Sequence, residues 1–132
     1  RARVLFDEPG TAYVYLSYGV HRLLNVVTER RGVGAAVLIR ALAPTHGIET
    51  MVGNRGSTRP SDLCSGPGKL TQAMGIDLDL NESSFQTGPL AIHMPDAGSA
   101  GHEIVVNGRI GISVATELPW RFHAAGVEHV SR

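Results

Sequence analysis

Apolar and polar side chains alternate most regularly in the first third of the chain, and this alternation predicts β-strands. The segments at about 12–17, 22–28 and 35–42 are rich in aromatic and β-branched residues. Gly19 allows a tight turn between the first two segments, and a polar loop at 30–32 separates the second from the third. Short connections between successive strands favour antiparallel pairing, so we expect a three-stranded meander.

After Pro44 the alternation gives way to helical spacing. Thr45 is placed to cap a helix that contains Ile48 and Val52. A polar, glycine-containing loop is expected at 53–60.

A second helix is predicted to open at Pro67 and to end at Gly75, because proline is favoured in the first turn and glycine just after the last. Leu70, Ala73 and Met74 fall at helical spacing, and we expect all three to face the sheet. Exposed N–H groups at the start of this helix would suit an anion.

Further strands are predicted at 4–6 and 90–94, which are largely apolar, and at 120–123, where aromatic and basic residues alternate. A flexible turn is expected at 95–101. The pair Asn107-Gly108 is the strongest signal for a two-residue hairpin in the chain. The alternative is an irregular loop at 108–111.

The length of 132 residues allows one domain with a single core. Strands mixed with a few short helices predict an α/β protein of the α+β type. Lys and Arg together number 12, as do Asp and Glu, so the formal net charge is zero. No overall field would draw such a protein onto nucleic acid, and any contact with DNA must depend on local clusters.

One cysteine, Cys64, excludes an internal disulfide framework and a cysteine-based zinc site. The six histidines show no metal-ligand spacing, so we expect neither a metal nor a cofactor. No apolar run approaches the roughly 20 residues that span a bilayer, and an intracellular protein without membrane contact is the expectation. Because the chain opens on Arg1 and enters an apolar run at once, we suspect that an N-terminal segment is missing.

Candidate chemistry is concentrated in the predicted meander. All three tyrosines lie within 13–18, and Asn25 is a lone amide among aliphatic residues. Arg40 lies in an apolar run, where an arginine needs a partner. An aromatic ring, an amide and an arginine on neighbouring strands would form a pocket for a flat polar ring.

Blocks of sequence in a fixed order extend over nearly the whole chain. The long ones are Pro9-Gly-Thr-Ala-Tyr-Val-Tyr-Leu-Ser-Tyr-Gly-Val-His21 with Leu24-Asn-Val26, Val37-Leu-Ile-Arg-Ala-Leu-Ala-Pro44 and Leu63-Cys-Ser-Gly-Pro-Gly-Lys-Leu-Thr-Gln-Ala-Met74. The short ones are Gly88-Pro-Leu90, Arg109-Ile-Gly-Ile112 and Pro119-Trp-Arg-Phe122. In these blocks the chain resembles the alkyladenine (3-methyladenine) DNA glycosylase family. The resemblance implies a curved, mostly antiparallel sheet of open-barrel-like form and excision of alkylated purines from duplex DNA in base excision repair.

The resemblance also implies which residues contact DNA. Tyr18 matches the tyrosine that enters the minor groove in place of a flipped nucleotide, and a wedge of this kind must project from a narrow tip. Gly19 beside it makes the tip narrow and belongs to the same DNA-binding set, and Val20 and His21 would brace the same opening. Lys69, at the start of the second predicted helix, would contact a phosphate.

Four further residues match the family's base pocket and water site. Tyr15 would stack on the flipped base, since a cationic alkylated purine is attracted to an aromatic face. Asn25 would disfavour guanine by crowding its exocyclic amino group. Arg40 and the backbone carbonyl of Ile110 would hold the attacking water.

The family's general base is a glutamate in a segment that precedes all of these blocks, and this chain has no such motif. Glu8 is the nearest carboxylate upstream of the tyrosines, but it matches a noncatalytic position. We therefore expect weak or no excision by residues 1–132 alone and activity in a longer parent protein. The parent is expected to be a monomer that hydrolyses the N-glycosidic bond without a lyase step. The alternatives are a noncatalytic damaged-DNA-binding domain and a structural β-module of an unrelated enzyme.

Overall fold

The computed structural model describes residues 2–96, 101–127 and 129–130. Its centre is an antiparallel sheet of three strands in the order β1 (Ala12–Ser17), β2 (His21–Val27) and β3 (Ala36–Leu38). The predicted meander is confirmed, but the third strand is shorter than expected. Beyond it the backbone turns toward the helices, where Leu42 N donates to the carbonyl of Cys64 at 3.0 Å.

A second antiparallel sheet pairs β4 (Ile104–Asn107) with β5 (Arg121–Ala124), one residue later than the predicted 120–123. The prediction of a two-residue hairpin at Asn107-Gly108 is wrong, because residues 108–120 separate the two strands. The alternative prediction of an irregular loop is confirmed. The loop is held by its own arginine, because Arg109 Nη2 donates to the carbonyls of Val114 and Ala115 at 2.9 and 3.3 Å.

Three helices connect the sheets: α1 (Ile48–Arg55), α2 (Pro60–Leu63) and α3 (Pro67–Met74). The bounds predicted for α3 are confirmed. The cap by Thr45 is wrong, because its hydroxyl bonds His46 Nδ1 at 3.0 Å and the residue before α1 is Gly47, with a left-handed backbone.

The loop predicted at 53–60 is wrong at both ends, since α1 continues to Arg55 and α2 begins at Pro60. The orientation predicted for Met74 is also wrong. This side chain is 44% exposed, whereas Leu70 and Ala73 are buried against the sheet as expected. Met74 is the last residue of α3 and lines a surface pocket with Met51 and Cys64.

Two predicted strands are absent from the described part of the chain. The run at 4–6 belongs to a 3₁₀ helix, Ala2–Phe6, whose carbonyls at Leu5 and Phe6 accept from the loop at 32–35 instead of from a strand. The run at 90–94 finds no partner strand, and Met94 in it is 88% exposed. Of the turn predicted at 95–101, residues 97–100 lie outside the described residues.

The first sheet is covered on both faces, as strand alternation requires. Its helical face packs Ala12, Val14 and Leu24 against residues of α2 and α3, among them Leu70, which is fully buried. The opposite face packs residues that cluster with the 3₁₀ helix: Val4, Tyr13, Val27, Leu5 and Tyr15. The protein is thus a single α+β domain with two small antiparallel sheets, and its described residues form no closed barrel.

Candidate functional site

The turn between β1 and β2 presents an aromatic side chain to solvent. Val20 N donates to the carbonyl of Ser17 at 3.0 Å, and the two residues between them have positive φ, 51° at Tyr18 and 69° at Gly19. Tyr18 is 96% exposed, and Val20 beside it is 63% exposed. The tip therefore projects one large apolar ring that packs on nothing within the domain.

The hairpin tip is braced by α3 through its neighbour His21. A Cβ added at Gly68 would lie 3.1 Å from His21 Nδ1 and 3.2 Å from its Cγ, so the helix and the imidazole are in close contact. Thr71 Oγ1 donates to the carbonyl of Arg22 at 2.7 Å and ties the same helix to β2. The sheet and α3 thus hold the tip in a fixed direction.

A cleft of about 420 Å³ opens between the base of the tip and α3. Its walls include His21, Gln72 and the ion pair in which Arg22 Nε lies 3.0 Å from Asp77 Oδ1. The N–H of Leu78 and then Arg22 hold the pKa of Asp77 below its ordinary value, so this carboxylate stays charged beside the cleft.

Lys69 lies in the first turn of α3, one residue beyond the glycine that meets His21. Its Nζ donates to Asp62 Oδ1 at 2.8 Å and to Ser65 Oγ at 3.3 Å. The hydrogen bond from Lys69, followed by one from Ser57, holds the pKa of Asp62 below its ordinary value. A phosphate that binds Lys69 must therefore compete with a carboxylate of the domain.

Two residues predicted for the base pocket, Tyr15 and Asn25, lie on the sheet face opposite the helices. Tyr13 pairs with Asn25 across β1 and β2, and Asn25 pairs with Leu38 across β2 and β3. The Tyr15 ring stacks on Tyr13 with centroids 5.1 Å apart and planes at 30°. Asn25 is 8% exposed, and its Nδ2 donates to the carbonyl of Tyr13 at 3.2 Å, which fixes the amide.

Arg40 follows β3 by two residues and is half-buried. Burial, and after it the charge of Arg121, lower the pKa of Arg40 below its ordinary value. Ile110 is half-buried in the loop between β4 and β5, and this loop leads directly into Arg121. Arg121, which follows that loop, thus acts electrostatically on Arg40.

Glu8 lies in an ion pair on the surface. Its Oε1 accepts from Arg31 Nε at 2.8 Å, and this contact raises the pKa of Arg31. Among the described residues, no three His, Cys, Asp or Glu side chains come together in an arrangement that could hold a metal ion. Helices of that same part of the chain reach at most eight residues, and none is long and apolar enough to cross a membrane.

Three contributions to the site were missed by sequence reasoning. Arg121 could have been found by the rule that singled out Arg40, since it too lies in an apolar run, between Trp120 and Phe122. The pairing of Asp62 with Lys69 and the contact of Gly68 with His21 join separate elements, and no local pattern signals them.

The structure is thus a small α+β domain in which a hairpin turn, braced by α3, presents an exposed tyrosine. In a comparison with known families, methylpurine-DNA glycosylase matches residues 1–128. The chain belongs to the methylpurine-DNA glycosylase family.

Curated relatives resemble the chain along its whole length. A protein of Methanoculleus marisnigri is 48% identical over 134 residues, which cover 100% of this chain and 70% of the relative. One from Rhodopseudomonas palustris strain BisB18 is 49% identical over 132 residues, covering 100% of this chain and 64% of the relative. One from Rubrobacter xylanophilus is 50% identical, with 99% and 67% covered. The name of each assigns it provisionally to the 3-methyladenine DNA glycosylases.

Proposed function

We propose that the chain carries the DNA-opening hairpin and part of the base pocket of a monofunctional 3-methyladenine DNA glycosylase. The observation that supports this most is Tyr18, which is 96% exposed at a braced turn within a domain of this family. An enzyme that acts on a base must take it out of the stack, and an aromatic wedge can fill the space that the base leaves.

In the proposed complex the hairpin enters the minor groove of duplex DNA that contains an alkylated purine. Gly19 and Val20 follow the wedge, while His21 and Lys69 face the phosphates. The exchange of Asp62 for a phosphate oxygen at Lys69 would cost little, because the ion pair is substantially exposed, at 44% for the lysine side chain and 33% for Asp62. Since the net charge is zero, such local contacts must supply the electrostatic attraction.

The flipped base would lie near Tyr15 and Asn25. The amide of Asn25 is fixed by the Tyr13 carbonyl, and a fixed amide can reject guanine by its position alone. In the structure one side of Tyr15 contacts Tyr13, so stacking on a base would use its other surface.

The proposed reaction is hydrolysis of the N-glycosidic bond, in which water adds to C1′ and the purine leaves with the bonding electrons. Arg40 and the carbonyl of Ile110 would hold that water, and a carboxylate must accept its proton as the oxocarbenium-like state forms. Lys69, the one lysine of the chain, is engaged by Asp62, so a Schiff-base lyase step is not proposed. The substrate would place the protein with genomic DNA in the cytoplasm or nucleoid.

A noncatalytic damaged-DNA binder is the second candidate. It is supported by Glu8, whose carboxylate is engaged by Arg31 and is 61% exposed, so it is poorly placed to serve as a general base.

Release of 3-methyladenine or hypoxanthine from a labelled duplex distinguishes the two. We expect release by a protein extended to the length of the relatives, a loss of at least about 100-fold on Arg40→Ala in that protein, and little release by residues 1–132. Lesion binding without release by either form would favour the noncatalytic binder, and release by the 132-residue chain would make Glu8 the first general base to test.

A further inference from the structure

The surface pocket that Met74 lines is rich in sulfur. Its volume is about 220 Å³, and Met51, Cys64, Met74 and His46 are among the residues that border it. Met51 lies in α1, Cys64 directly follows α2, Met74 ends α3, and His46 precedes α1. Three of the four sulfur-containing side chains of the protein therefore meet at one pocket, and none of the described residues that line it borders the cleft beside the hairpin.

Two of these sulfur atoms have the separation of two ligands on one metal ion. Cys64 Sγ donates to Met51 Sδ, and the two atoms lie 4.0 Å apart. With metal–sulfur bonds of about 2.3 Å, sulfurs at this distance subtend an angle of about 120° at the ion, which is the angle of three-coordinate binding. An ion held between the two sulfurs therefore requires no change in their separation.

The donors at the pocket are those that a soft cation prefers. Thiolate and thioether sulfur select copper(I), and imidazole suits copper as well. His46 Nδ1 bonds Thr45 Oγ1 at 3.0 Å, so Nε2 is the ring nitrogen left for a ligand. None of the described residues that line the pocket is an Asp or Glu, whereas hard ions such as Mg²⁺ and Ca²⁺ require oxygen ligands. Zinc sites use thiolate, imidazole and carboxylate, so the thioethers favour copper(I) over zinc.

Cys64 carries its proton when no ion is bound. The residue is 1% exposed, and burial raises the pKa of its thiol, although the charge of Arg55 opposes this. A cation that binds must therefore displace the proton. The S–H bond breaks, a bond from sulfur to the cation forms, and the proton passes to solvent with no change in oxidation state. The resulting thiolate and monovalent cation are neutral together, which lowers the cost of holding them in a buried position.

We propose that Cys64 and Met51 bind a soft monovalent cation of the copper(I) class, and that Met74 and His46 complete its ligands. The bound ion links α1, the end of α2 and the end of α3, so it stabilises the helical part of the domain. This inference goes beyond the proposed excision reaction and does not depend on it.

The test is titration calorimetry of the 132-residue chain with silver nitrate in a chloride-free buffer. Silver(I) is the probe because it shares the preference of copper(I) for sulfur and keeps its oxidation state in air. We expect one tightly bound ion per chain. Met51→Leu, which nearly conserves volume, should weaken binding at least about tenfold, and Cys64→Ala at least about 100-fold. Met94→Leu, at an 88% exposed methionine outside the pocket, should bind as the wild type does.

Ultraviolet absorption and thermal unfolding give two further readouts. An absorption band of the silver–thiolate bond should appear in the wild type, persist in Met51→Leu and be absent from Cys64→Ala. Free silver at about ten times the Kd should raise the Tm of the wild type and of Met94→Leu by about 5 °C. Met74→Leu and His46→Gln should each weaken binding less than Cys64→Ala does, because each removes a ligand that completes the site.

Three results would overturn the proposal. The first is no tight binding by the wild type, and the second is binding that Met94→Leu weakens as much as Met51→Leu. The third is binding that Cys64→Ala abolishes and Met51→Leu leaves unchanged, since an isolated thiol would then account for it. If Cys64→Ala fails to fold, the comparison of Met51→Leu with Met94→Leu decides, because leucine nearly matches methionine in volume at both positions.

Discussion

Tyr18 combines two properties that folding alone disfavours. A left-handed backbone costs an L-residue roughly 1–2 kcal/mol, and Tyr18 adopts it with φ of 51°. Its ring is 96% exposed, so it recovers no energy of burial within the domain. This conformation and exposure must therefore be favoured by a partner outside the domain. In the proposed function that partner is DNA, and Tyr18 is the wedge that enters it.

The contact between Gly68 and His21 leads to a prediction about stability. Glycine inside a helix is less stable than alanine by about 0.5–1 kcal/mol, so Gly53→Ala in α1, where a Cβ would meet nothing within 4 Å, should raise the free energy of unfolding by that amount. Gly68→Ala should gain less, because its Cβ would come within 3.1 Å of the His21 ring. Urea denaturation measures both changes.

His21→Ala provides the control for that comparison. With the imidazole removed, Gly68→Ala should recover a gain close to that of Gly53→Ala. Equal gains for the two glycines in the wild-type background would show that the close approach of α3 to the hairpin is unimportant for stability.

At the scale of elements, α2 and α3 meet at an ion network that holds Lys69 in place. Asp62 accepts from Lys69 at 2.8 Å and from Arg55 at 3.1 Å. Asp62→Asn should tighten binding to duplex DNA a few-fold and increase the salt dependence by about one ion, because it frees the lysine for a phosphate. Fluorescence anisotropy over a series of salt concentrations measures both.

The same substitution has a consequence for pH dependence. Lys69 and Ser57 lower the pKa of Asp62 in the folded protein, so its contribution to stability is complete above the ordinary value of 3.8 and is lost as the pH falls through the lower, folded pKa. In the Asp62→Asn variant, the midpoint of urea denaturation should depend less on pH in this acid range than it does in the wild type. An unchanged acid dependence together with unchanged DNA affinity would contradict the account of this network.

How much the sequence predicts also depends on scale. Alternation predicted the β1–β2 hairpin, and Pro67 with Gly75 predicted α3, because each signal is local. The run at 4–6 has strand-like composition, but the carbonyls of its 3₁₀ helix bond a loop near residue 32, which is distant in the sequence. Asn107-Gly108 carries a hairpin signal that the side chain of Arg109 overrides by holding the loop through its carbonyls.

The candidate site shows the same division. The exposed hairpin tip could be predicted from a glycine beside a tyrosine, since both its position and its geometry are local. The effect of Arg121 on Arg40 could not, because the two residues are about eighty positions apart in the sequence and no local pattern relates them. The sequence also could not predict whether Asn25 faces the core or a ligand, because its hydrogen bond to Tyr13 depends on strand register.

At the scale of the whole molecule, the two sheets and α3 contribute different parts of the candidate site. The first sheet carries the hairpin tip and the residues predicted for the base pocket, α3 braces the tip, and Arg121 of the second sheet acts electrostatically on Arg40. The chain covers 64–70% of the relatives compared above, so excision itself is a property to be tested in a protein of their length. Opening of the duplex by the hairpin can be tested in the chain as it is.

The most direct measurement is the fluorescence of 2-aminopurine placed next to an alkylated purine in duplex DNA, titrated with the 132-residue chain. We expect the fluorescence to rise as the neighbouring base leaves the stack, and Tyr18→Ala to lose most of that rise. Val37→Thr, at a 54% exposed apolar side chain on the same sheet, should behave as the wild type. An equal rise with Tyr18→Ala, or no rise when the wild type is bound, would contradict the proposal that this hairpin opens DNA.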